Sequence, residues 1–115
     1  MINARFYKDK KGNIRKFTIK GHANYAKRGN DIVCAAVSAL AQTTLLSIVK
    51  VCGVEENQIN YIVEEKTGFL EVELPIDLDN STLEKTQIVL ETLKLGINSI
   101  IEIYPEYVKL ENGEV

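Results

Sequence analysis

The chain has 115 residues, 45% of them hydrophobic and 26% charged, with a formal net charge of -2. That is the size of one domain, enough to bury about two thirds of the surface its unfolded form exposes, and the composition excludes disordered, collagen-like and other fibrous classes. Cys34 and Cys52 make no disulfide framework, and the opening MINARFYKDKKG lacks the apolar core of a secretory leader, so the reducing cytoplasm is the expected compartment.

Taken in order, Ile2, Ala4 and Phe6 alternate with Asn3, Arg5 and Tyr7, and Arg15, Phe17 and Ile19 alternate with Lys16, Thr18 and Lys20. Both runs have the period of two of half-buried strands, and Lys8-Asp9-Lys10-Lys11-Gly12-Asn13 between them predicts a hairpin turn. Gly21 ends the second strand. A polar loop follows, Ala23, Asn24, Tyr25, Ala26, Lys27, Arg28, Gly29 and Asn30, with little to bury and hence expected to be mobile.

Asp31 suits an N-cap, and Ile32 onward has no Gly or Pro until Gly53, which predicts a helix of about 20 residues. Residues 32–49 carry no charge, yet Ser38, Gln42, Thr43, Thr44 and Ser47 fall among them, so a core helix is favoured over a membrane span. Because its apolar side chains point several ways, this helix is expected to be central and covered on more than one face. Ile59, Tyr61, Val63 and then Leu70, Val72, Leu74 predict a second hairpin turning at residues 64–68. Ser81-Thr82-Leu83-Glu84 has capping-box spacing, opening a second helix whose core face is Leu83, Leu90, Leu93, Ile97, Ile100 and Ile101, ending near Tyr104-Pro105. Ile88 and Leu95 lie off that stripe, as plain surface residues or as part of a subunit contact. Residues 107–111 can form a last short strand before a frayed end. The order is ββαββα with a possible final β: an α+β fold, its mostly antiparallel sheet or sheets packed with two helices.

Residues 1–30 hold nine Lys or Arg and one Asp, whereas residues 31–115 hold five basic and fifteen acidic residues. Solvated strand faces account for this, as would an N-terminal face meeting an anionic partner; without an RNP-type motif, direct nucleic-acid binding is not expected.

The chemistry concentrates at His22 and Cys34. A cysteine in the first turn of a helix sits at the positive end of the dipole, beside backbone N–H groups that could hold a thiolate or an oxyanion. His22, at a strand end, could be carried beside it by the loop. Against this stands a plain structural reading, a strand-end His and a small buried Cys. Metal binding is not supported, since two ligands fall short of the four a structural zinc needs. Asp31 is already explained by capping, and Ser38, one turn after Cys34, either touches the site or packs beside it.

Gly21-His22-Ala23, a short polar loop with Gly29, and then Asp31-Ile32-Val33-Cys34-Ala35-Ala36-Val37-Ser38 resemble the signature of the ribosomal-processing cysteine proteases, the Prp or YsxB-like family. The resemblance implies a bacterial Cys/His endopeptidase, without cofactor or metal, that removes a short N-terminal extension from a large-subunit ribosomal protein. It implies Cys34 as nucleophile, His22 as base, residues 23–30 as a mobile segment beside the site, and a homodimer. Gly21, Asp31 and Ser38 belong to the same signature as supporting positions. Two other classes remain open: a non-catalytic ribosome-associated assembly factor using the basic hairpin, and a thiol redox sensor, which gives His22 no role.

Overall fold

In the computed structural model, which describes residues 1–27 and 30–115, the two alternating runs form antiparallel strands β1 (Ile2–Lys8) and β2 (Ile14–Lys20). Their apolar halves share one side, with Phe6 and Phe17 cross-strand partners whose rings stack 6.0 Å apart. The alternation breaks at one point. The register shifts between Tyr7 and Lys8, so Ile14, not Arg15, enters the core. Arg15 turns outward and its guanidinium donates to the carbonyls of Pro75 and Ile76. The backbone that the bulge leaves unpaired at Ile14 is met by the Gln87 amide, which accepts from its N–H at 2.7 Å and donates to its carbonyl at 2.9 Å.

Helix α1 (Ile32–Lys50) begins at the Asp31 cap and stops before Gly53, whose φ of +80° is a conformation that favours glycine. Strands β3 (Asn60–Glu64) and β4 (Phe69–Glu73) form the second hairpin, helix α2 runs from Asn80 to Ile103, and β5 spans Val108–Glu114. The five strands make one mixed sheet in the order β3-β4-β2-β1-β5, antiparallel throughout except for β1 and β5. The expected α+β fold is present, with two corrections at the ends of elements. Asp79, not Ser81, caps α2, accepting from Thr82 N–H at 2.7 Å. Residues 112–114 do not fray: they pair with Phe6, Tyr7 and Lys8, and Val115 N–H reaches the Lys8 carbonyl.

The expectation of a central, buried first helix is also corrected. By length and composition α1 could cross a membrane; here it packs one face, Val33, Val37, Ala41, Thr44 and Ile48, into the core. Leu40 lies in the seam with α2, against Gly96. Its remaining surface is open, with Ile32 and Leu46 each 56% exposed. The two helices pack side by side against one sheet, and among the described residues no third layer covers them. On the sheet's other face Lys16 of the N-terminal basic block lies 3.4 Å from Glu71 of the acidic remainder.

Candidate active site

The loop leaving β2 and the N-terminus of α1 meet at Asp31. One carboxylate oxygen accepts from Val33 and Cys34 N–H, both at 3.0 Å, as an N-cap does. The other accepts from Tyr25 N–H at 2.9 Å and Ala26 N–H at 3.3 Å. Burial works against its charge, but the donors at Cys34, Ala26, Tyr25 and Val33 outweigh it and hold the carboxyl below its usual value. One side chain therefore fixes the first turn of the helix and the loop beside it. It is not available to orient an imidazole.

Two further contacts hold the described part of the loop. Ala23 is buried, and the Tyr25 ring sits edge-on to Tyr104 and Tyr107, with centroids 5.4 and 5.2 Å away. The expectation that this segment has little to bury is thus wrong for Ala23, whereas Tyr25 stays 43% exposed beside its two ring partners; Arg28 and Gly29 lie outside the described residues. Asn24 takes a left-handed φ of 57°, tolerable for Asn.

The anchored loop presents its backbone to the cysteine. Ala23 N–H donates to Cys34 Sγ at 3.2 Å, adding a donor to the positive end of the α1 dipole where charge on sulfur would develop. The first-turn donors expected to serve an oxyanion do not: Val33 and Cys34 N–H are spent on Asp31 Oδ1, and Ala35 N–H on the Asp31 carbonyl. Capping takes those groups first.

His22 follows Gly21, whose φ is +98° and whose missing side chain leaves room for the Met1 carbonyl. The imidazole Nε2 lies 3.1 Å from the Lys66 carbonyl, in the β3–β4 turn. His22 and Cys34 line one cavity of about 580 Å³, bounded by α1, the loop and the β3–β4 hairpin. They are not hydrogen-bonded to each other, an arrangement common in catalytic pairs before substrate closes the site. Ser38 also lines this cavity, its hydroxyl accepting from Gln42 at 2.9 Å, and so do Gly21, Asn24, Ala26 and Asp31. Val37, Ala41, Val63 and Leu70 supply its apolar side. Cys52 lies in the turn just beyond the C-terminal end of α1, 5% exposed, and burial pushes its thiol pKa up. Among the described residues no cluster of His, Cys, Asp and Glu could hold a metal ion.

Against known proteins, the family model described as cysteine protease Prp matches residues 1–109. The chain belongs to this family. It is therefore a cysteine protease, and the redox-sensor reading falls away. The ribosomal processing cysteine protease Prp of Bacillus subtilis is 27% identical over 110 residues, covering 96% of both chains. Its Staphylococcus aureus counterpart is likewise 27% identical, over 96% of this chain and 97% of that one. A solved structure from Streptococcus mutans is 29% identical with a TM-score of 0.82, covering 100% of this chain and 96% of that chain. The S. aureus Prp structure holding a covalently linked product peptide superposes with a TM-score of 0.84 at 21% identity, over 97% of this chain and 99% of that one. This last likeness carries the Prp fold from β1 to β5.

Two parts of the site left no mark that residue types could reveal. The Lys66 carbonyl and the Ala23 N–H are backbone groups, present whatever side chain stands there. The only sequence trace of the first is Gly68, two residues on, which reads simply as a turn glycine.

Proposed function

We propose that Cys34 is the nucleophile and His22 the general base and acid of peptide hydrolysis, acting on an N-terminal extension of a bacterial large-subunit ribosomal protein. The observation that carries this is the Ala23 N–H held on Cys34 Sγ within a cavity shared by His22. The names of the B. subtilis and S. aureus relatives support the substrate class. The thiolate adds to the scissile carbonyl, the imidazolium gives its proton to the departing amine, and a thioester remains. Water then attacks the thioester; His22 takes its proton, and the acid and free thiolate are released. No cofactor enters this balance. Gly21, Asp31 and Ser38 support the pair: Gly21 by letting the chain turn into His22, Asp31 by clamping loop to helix, Ser38 from the cavity wall. Asn24 and Ala26 of the loop border the cavity where a peptide enters, and the peptide extends along the apolar trough between α1 and Val63.

The chain works in the cytoplasm, where ribosomal proteins are made, and as a homodimer. Ile32 and Leu46 on α1 and Ile88 and Leu95 on α2 offer exposed apolar surface to a second copy.

Purified protein incubated with the extended ribosomal protein yields one new N-terminus, read by mass spectrometry. Cys34→Ala abolishes it. Unchanged cleavage by Cys34→Ala overturns the proposal, and retained biological function by that variant returns the assembly-factor reading.

A further inference from the structure

The group that orients His22 is the remaining unassigned part of the site, since the Asp31 carboxylate is filled by four N–H donors. The β3–β4 turn approaches the histidine on three counts. Nε2 lies 3.1 Å from the Lys66 carbonyl. Gly21 N–H donates to the Gly68 carbonyl at 3.0 Å, tying the residue before the histidine to the same turn. A Cβ at Gly68 would come 2.5 Å from the Gly21 carbonyl oxygen and 3.0 Å from His22 Cε1, so the turn lies against the ring with no space for a side chain.

We infer that the backbone carbonyl of Lys66 orients the catalytic imidazole, and that Gly68 is a positioning residue that lets the turn reach it. A carbonyl oxygen only accepts, so Nε2 must carry the hydrogen, and in the neutral ring Nδ1 then holds the lone pair. Nδ1 is the atom that takes and returns the proton. A carboxylate is the usual partner for this duty in hydrolases with a nucleophile, a base and a third group; here a main-chain dipole replaces it. Glu64, Glu65 and Lys66 also line the cavity, so a bound peptide touches the segment that aims the base. The inference rests on the reading of His22 as the base.

His22 is the only histidine in the chain, so its ring nitrogens can be read without assignment ambiguity. In a Cys34→Ala background, with the ring neutral, nitrogen NMR is expected to show the Nε2–H tautomer alone, where a free peptide histidine shows a mixture. Adding Gly68→Ala is expected to restore the mixture. In the active protein Gly68→Ala lowers kcat roughly 100-fold, as a misplaced catalytic group does, with KM changed less than threefold. Gly12→Ala is the control, because Gly12 also has a positive φ, +86° against +64° at Gly68, but has nothing within 4 Å of its missing Cβ; it carries backbone strain without the steric clash and is expected to keep kcat. A free-peptide mixture in the Gly68 protein, an Nδ1–H tautomer, or full kcat in a folded Gly68→Ala protein would each overturn the assignment. Failure of the protease reading shows elsewhere, as cleavage by Cys34→Ala with the tautomer intact.

Discussion

The two hairpins are built alike and used differently. Each joins two antiparallel strands through a turn with one glycine at positive φ, Gly12 at +86° and Gly68 at +64°. In the first, Phe6, Ile14 and Phe17 are fully buried, and the turn projects into open space. In the second, every residue of β3 is exposed, Tyr61, Ile62 and Val63 at 42, 49 and 52%, and the turn packs against Gly21 and His22. The first hairpin lies under the helices and holds the fold; the second sends Leu70 and Val72 of β4 into the same core but leaves β3 exposed at the sheet edge. An edge strand this exposed is a liability in a purely structural role, and its neighbourhood to the cavity supplies the reason for it.

The largest contrast comes from truncating one aromatic in each hairpin at the same row of the sheet, since Phe17 and Tyr61 both pair with Val72. Phe17→Ala removes a ring with no exposed surface that stacks on Phe6. It is expected to cost about 3–5 kcal/mol in denaturant unfolding, a large share of the stability of a domain this size. Tyr61→Ala in β3 is expected to cost about 1 kcal/mol, chiefly the contact its hydroxyl makes with Glu56 at 2.9 Å. Equal losses at the two sites would show that β3 belongs to the core.

Between the hairpins stands Asp31, whose cost is of middle size and depends on pH. Asp31→Ala frees four backbone donors and is expected to destabilise by roughly 2 kcal/mol at neutral pH. The folded carboxyl titrates below its ordinary value, so its contribution is complete above the unfolded-state pKa and disappears as pH falls through the lowered folded one. Wild type and Asp31→Ala should therefore converge in stability in acid and diverge above it. Asp9 and Asp79 shift in the same direction, but both proteins carry them, and the difference between the two isolates Asp31. A gap that persists unchanged into strong acid would mean that the neutral side chain performs the same clamping.

Much of this was legible in the sequence, for identifiable reasons. Period-two runs placed β1 to β4, and a side-chain cap at Asp31 placed α1 and with it Cys34. Local chemistry leaves local marks. What escaped was non-local or main-chain. The parallel pairing of β5 with β1 joins residues about a hundred positions apart, and it turns an end that reads as frayed into strand. The bulge that trades Arg15 for Ile14 depends on Gln87 in α2, 73 residues away. Helix α1 is apolar nearly all round, which says that it must be covered but not by what; a single layer of two helices leaves its outer face open. At the site, residue types named His22 and Cys34, whereas the Lys66 carbonyl and Ala23 N–H that hold them are common to every residue.

The finest test separates the two faces of β3 itself. Val63 pairs with Leu70 and faces the cavity, while its neighbour Ile62 pairs with Glu71 and faces the opposite side of the sheet. The two are almost equally exposed, so substitution by threonine should change stability by less than about 0.5 kcal/mol at either. Their effects on substrate should differ. Val63→Thr keeps the shape of the side chain and puts a hydroxyl into the apolar trough, and KM for an extended peptide is expected to rise roughly fivefold, about 1 kcal/mol, at constant kcat. Ile62→Thr should leave both parameters unchanged. Because a bulk effect on the edge strand would move the two together, only a peptide lying on the helix-facing side of β3 accounts for a split; equal KM values would place the substrate on another wall of the cavity.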